Sequence, residues 1–134
     1  MIALTPINPE SLGAPHGYSN GVLVPAGARL LFVAGQVAWN ADQEIESDDF
    51  CVQFDTALAN VLTVVRAAGG SAESIARLTC YVTSREAYLA DLATLGKVYR
   101  QHMGRHFPAM ALVEVRALVD PRAQVEIEAT AALA

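Results

Sequence analysis

An α+β fold, one mixed β-sheet with two helices on one face, is predicted by three features of this 134-residue chain. Residues 50–68 place apolar side chains (Phe50, Phe54, Leu58, Val61, Leu62, Val65) at helical spacing, and Gly69-Gly70 stops the run. A second helical stretch, with Tyr88, Leu92, Leu95, Tyr99 and Met103 on its apolar side, ends at Gly104. Strand patterns precede and follow these helices, and right-handed crossovers put both helices on the same side of the sheet.

Taken in order, residues 1–7 are expected to form a short strand interrupted by Pro6. Residues 8–20, with Pro9, Gly13 and Pro15, read as a surface loop. "GVLV" and "RLLFVAGQV" are apolar runs separated by "PAGA", which predicts a hairpin. Ser47 or Asp48 is expected to cap the first helix, with Asp49 at its positive end. "SIARLTCYVT" alternates with one phase slip and reads as a strand. Ser84 is expected to cap the second helix, and Gly96, mid-helix, to permit a close approach. Two last strands, 109–116 and 124–131, flank a loop at Asp120-Pro121. The predicted order is β-β-β-α-β-α-β-β in a single domain, residues 1–134. The run 109–115 is apolar on both alternating faces except at Glu114. Helices can cover one of those faces; a neighbouring subunit in a closed ring is expected to cover the other.

Composition narrows the function. The chain is 53% apolar, with a net charge of −5. An acidic chain without clustered Lys and Arg argues against a nucleic-acid partner. No run approaches the ~18 apolar residues of a membrane span, and no basic-then-apolar leader opens the chain, so a cytoplasmic location is expected. Cys51 and Cys80 read as two core thiols in a reducing compartment. His102 and His106 are four apart, but Gly104 breaks the helix between them and no acidic or Cys ligand accompanies them; no metal and no cofactor are expected. Ser19 lacks a nucleophile elbow.

Several segments resemble the RidA/YjgF family, also described as endoribonuclease L-PSP. "GYSNGVLV" is similar to that family's Gly-Pro-Tyr-Ser segment without the Pro, and "LLFVAGQVAWN" to its Ser-Gly-Gln strand with Ala34 for Ser. "FDTALANVLTVVRAAGGSAESIARLTCYVT" resembles its first helix and following strand. "DLATLGKVY" resembles Asp-Phe-x-x-x-Asn-x-Val-Tyr, with Leu92 for Phe and Gly96 for Asn. "FPAMALVEV" and "VEIEA" resemble its last two strands.

The resemblance implies a chorismate-mutase-like fold, a homotrimer, and small-molecule pockets between subunits. It implies hydrolysis of reactive enamines or imines to a carbonyl compound and ammonia. Carried over residue by residue, it implies ligand contacts at Tyr18, Gly35, Gln36, Leu92, Met110 and Leu112, and a water-positioning role for Glu126. The departure is at Met110, where family members carry an Arg that grips a substrate carboxylate. A thioether cannot replace planar, two-point, charge-assisted recognition. Leu112, where several members carry Cys, moves the pocket in the same apolar direction. The expected substrate is therefore not a simple 2-imino acid. A trimer that binds a small ligand without turnover is the alternative reading. Ribonuclease activity is disfavoured by the charge. Glu114 and Glu128 are expected to be structural, and Trp39 to cover a pocket or an interface.

Overall fold

The computed structural model describes residues 2–134. Six strands are present: β1 (Thr5–Ile7), β2 (Gly21–Leu23), β3 (Arg29–Gln36), β4 (Ile75–Val82), β5 (Ala109–Glu114) and β6 (Val125–Leu133). The helices are α1 (Phe50–Ala67), α2 (Arg85–Leu89) and α3 (Leu92–Met103). The main sheet is mixed, in the order β3-β6-β4-β5, with β4 and β5 parallel and the other pairs antiparallel. α1 packs across β6 and β3 and beside α3. No helix among the described residues is long and apolar enough to cross a membrane.

The core is the apolar stripe of α1 against the inner face of the sheet. Leu58, Val61, Leu62 and Val65 meet Leu78, Cys80, Val125 and Ile127, all effectively inaccessible to water. Alternation does the sorting: Val125, Ile127, Ala129 and Ala131 of β6 point inward, so Glu126, Glu128 and Thr130 point to the opposite face. The phase slip in β4 is a register shift between Ile75 and Arg77, which buries both Ile75 and Ala76.

Four local expectations are corrected. The "PAGA" segment does not close a hairpin: β2 pairs with β1 as a separate two-stranded ribbon, and β3 pairs with β6. The turn at Pro25–Ala28 has Gly27 at φ 83° as its third residue, an unprimed geometry that splays the flanking strands. The cap of α1 is Asp49 itself, whose Oδ2 accepts from the Val52 N–H at 3.0 Å, not Ser47 or Asp48. The second helix is broken. Ser84 caps α2, as expected, but Asp91 starts α3 by accepting from the Thr94 N–H (3.1 Å) and hydroxyl (2.7 Å). The strand boundaries also move: β5 ends at Glu114, and β6 runs on to Leu133. Met1, which the first expected strand included, lies outside the described residues.

One buried amide ties three segments together. Gln53 of α1 is fully buried; it donates to the Ser47 carbonyl (2.8 Å) and the Arg122 carbonyl (3.0 Å) and accepts from the Gln124 N–H (2.8 Å). It clamps the loop entering α1 to the loop entering β6. Gln53→Ala leaves those backbone groups without partners and is expected to destabilise the fold by about 3 kcal/mol, lowering Tm by about 10 °C. Thermal unfolding by circular dichroism measures this, and a loss under 2 °C would show that the loops are held by other contacts.

Among the described residues no helix lies over the outer face of the sheet. Phe32 is 75% exposed there, and Leu30 is 54% and Val113 45% exposed. Tyr81 spans the same face and donates to Glu128 Oε1 at 2.6 Å.

Candidate functional site

A cavity of about 550 Å³ opens on the helix side of the sheet, between α3, β4, β5 and the loop at residues 16–18. Its size lies within the ordinary range of small-molecule sites. β5 is an edge strand and lies parallel to β4, with Met110 beside Leu78 and Leu112 beside Cys80. That register turns Met110 and Leu112 toward the helices, where they form the cavity floor with Cys80, Leu95 and Phe54.

The walls are aromatic. Tyr99 and Phe107 stack at 5.8 Å, and the Tyr99 hydroxyl donates to the His106 carbonyl at 2.7 Å. Tyr88 meets Phe50 edge to face at 6.3 Å. Tyr18 is held at the mouth by its neighbour. The buried Ser19 hydroxyl donates to the Phe107 carbonyl (2.6 Å), and its N–H donates to the Pro108 carbonyl (3.0 Å). Ser19 is thus a clamp between this loop and the start of β5. Gly17, at φ 77°, supplies the turn that an L-residue would resist.

Burial sets the electrostatics of the interior. It pushes the Cys80 thiol up to about 12 and raises the Tyr88 and Tyr99 phenols above their ordinary value. These groups are neutral at pH 7, and among the described residues no Asp or Glu lines the cavity. Among the described residues, Arg100 is the one Arg or Lys on its wall.

Both cysteines are free thiols. With a thiol at about 12, Cys80 is about 10⁻⁴ thiolate at pH 8 and is expected to resist alkylation in the native protein. Cys51 is only half-buried; its thiol is raised by desolvation and by Asp49 and Asp91. Mass spectrometry after iodoacetamide at pH 8 should find Cys51 modified slowly, and Cys80 only after denaturation. Equal labelling would show that the cavity opens to reagent.

The residues expected from sequence fall into two groups. Tyr18, Leu92, Met110 and Leu112 line the one cavity. Glu126, Gly35 and Gln36 lie away from it. Gly35 and Gln36 sit at a bulge where the β3–β6 register shifts after Val33, and the Gln36 side chain donates to the Ala34 carbonyl at 3.0 Å. The Glu126 carboxylate rests directly on Gly35. A Cβ at Gly35 would come within 2.5 Å of Glu126 Oε2. Glu126 forms no ion pair among the described residues; Arg122 pairs with Asp48 at 3.1 Å instead. The remaining acidic groups have structural partners: Glu128 holds Tyr81, and Glu114 accepts from the Arg85 N–H at 2.8 Å.

His102 hydrogen-bonds Asp55, and a His106 ring nitrogen lies 2.6 Å from the Ile75 carbonyl. No group of three metal-ligating side chains occurs among the described residues. Trp39 is tied to Asp120 through its indole N–H at 2.8 Å.

Sequence reasoning missed Arg100, Tyr88, Tyr99 and Phe107 as lining residues. A signal was present: Leu92, Gly96 and Arg100 recur at intervals of four and therefore share one helix face.

A mixed sheet with helices on one face and the other face bare is the α+β architecture of the RidA/YjgF-type fold. The chain belongs to the RidA/YjgF family: residues 9–133 match the family described as Endoribonuclease L-PSP. It is 33% identical to protein DfrA of Myxococcus xanthus, over 92% of this chain and 88% of that protein. It is 30% identical to human 2-iminobutanoate/2-iminopropanoate deaminase, over 89% and 82% respectively. Among solved structures, the Rid-family protein YyfB of Yersinia pestis superposes with a TM-score of 0.87 at 36% identity, covering 98% of this chain and all of that one. Escherichia coli TdcF, solved with bound serine, gives a TM-score of 0.66 at 32% identity, covering 91% of this chain and 92% of that one.

Proposed function

We propose that this protein is a homotrimeric, cytoplasmic hydrolase of C=N bonds in small metabolites, with each active site completed by two subunits. The observation that carries the reading is the division of the site across the sheet. The binding cavity lies on the inner side of the β5 edge, whereas Glu126 and Gly35 lie on the outer face. Within one chain Glu126 and the Met110 floor face opposite sides of the sheet, which supports a site completed by a second copy packed on the exposed Leu30, Phe32 and Val113 surface. The deaminase relatives support the chemistry.

In the proposed reaction, water held by Glu126 of one subunit adds to the imine carbon in the cavity of the next. A C–O bond forms and the C=N π electrons move to nitrogen, which takes a proton. Collapse of the carbinolamine breaks the C–N bond and yields the carbonyl compound and ammonia. Met110 and the other floor residues favour a substrate with an apolar body over the smallest 2-imino acids. Hydrolysis of RNA is not proposed: the chain has 14 acidic against 9 basic residues.

The test pairs multi-angle light scattering with an assay of imines generated in place from leucine and phenylalanine by an amino-acid oxidase. A trimer that accelerates ammonia release is the expected result. A monomer at micromolar concentration, or a trimer with no acceleration, would overturn the reading.

A further inference from the structure

The geometry points to Arg100 as the group that recognises the substrate carboxylate, relocated from β5 to α3, in a pocket that selects 2-imino and 2-keto acids with branched or aromatic side chains. This deepens the hydrolytic reading above and rests on it for the identity of the site.

Three observations carry it. First, Arg100 lies on the wall of the cavity whose floor is Met110, and its guanidinium is folded back along its own helix over Gly96. A Cβ at Gly96 would stand 3.2 Å from Nη1 and 3.9 Å from Cζ. The missing side chain at position 96 is therefore the space the guanidinium uses, and it answers the question of what a mid-helix glycine permits. Second, the guanidinium has no internal partner. Among the described residues it takes part in no ion pair and no side-chain hydrogen bond. Third, the cavity presents that cation with no competing anion: no carboxylate lines it, and its thiol and buried phenols stay neutral.

An unpaired fork of N–H donors above an apolar floor fits one kind of ligand. A carboxylate takes the guanidinium, and an apolar chain runs down between Phe54, Tyr88, Tyr99 and Leu112. The carbon next to the carboxylate, the one that carries C=N, then sits near the mouth beside Tyr18, where an incoming Glu126 from the next subunit has access. A small imino acid would reach Arg100 but leave the floor unfilled.

Isothermal titration calorimetry on the intact oligomer tests this with phenylpyruvate and its uncharged primary amide, for wild type, Arg100→Gln and Arg100→Lys. Wild type is expected to prefer the acid about 10-fold or more, and the preference should shrink as salt rises. Arg100→Gln should erase it while leaving amide affinity within about 3-fold, and Arg100→Lys should restore part of it. Arg100 is exposed on the helix surface, so circular dichroism of the variants should match wild type. Equal wild-type affinity for acid and amide, no binding of either, or undiminished discrimination in Arg100→Gln would overturn the assignment. The two proposals fail separately. Arg100-dependent discrimination without imine turnover removes only the hydrolytic step, and turnover with an unchanged KM in Arg100→Gln removes only the role of Arg100.

Discussion

Glu126→Gln is expected to reduce imine turnover by about two to four orders of magnitude, the usual contribution of a positioned general base, while the assembly and Tm stay within error of wild type. The reason is local. The carboxylate lies on the outer sheet face, has no ion-pair partner among the described residues, and rests against Gly35. Removing its charge breaks no salt bridge, and glutamine keeps its shape. Gly35→Ala provides an independent check, because a methyl group there would stand 2.5 Å from Oε2 and force the carboxylate to turn away. It should lower kcat with little change in KM, as expected when a catalytic group moves and the binding cavity does not. Steady-state ammonia release measures both variants. Full activity in Glu126→Gln would show that water is activated elsewhere.

The second large effect is a change of preference at Met110. Wild type is expected to process 2-aminoacrylate poorly, because so small a substrate leaves the apolar floor of Met110 and Leu112 unfilled even with its carboxylate at Arg100. Met110→Arg puts a guanidinium on that floor. Since a buried charge-assisted pair is worth roughly 2–5 kcal/mol, kcat/KM for 2-aminoacrylate should rise by about 30-fold or more. Activity toward imines derived from phenylalanine should fall, as the apolar slot is filled by a charged side chain. Met110 is half-buried beside the cavity, so the new side chain can extend into it without displacing the core. An amino-acid dehydratase supplying 2-aminoacrylate, coupled to ammonia detection, reads the first change. Robust wild-type activity on 2-aminoacrylate would remove the apolar-floor argument.

Much of the fold was legible because its signals are local. The period of α1, the glycine stop at Gly69-Gly70 and the alternation of β6 each depend on residues a few positions apart. The family segments are equally local, which is why Tyr18, Leu92, Met110 and Leu112 could be named together. Where expectation failed, the deciding contact was distant or competitive. Asp91 displaced a continuous second helix because its side chain caps the backbone better than the helix continues through it. The "PAGA" hairpin did not form because β2 pairs with β1 instead, and β3, an edge strand, takes its one partner from β6, about a hundred residues later.

By itself the sequence determined the order of the strands and the place of α1, the acidic charge that speaks against nucleic acid, and a methionine at position 110 where the family resemblance implies an arginine. Only the tertiary structure decided that Glu126 and the cavity lie on opposite sides of one sheet, because strand alternation fixes a side chain's face but pairing fixes which face meets the helices. It alone also brought Arg100 and Met110 to one cavity. Arg100 and Met110 belong to different elements, and their approach follows from packing α3 against the β4–β5 edge, a relation that residue types and spacing do not encode.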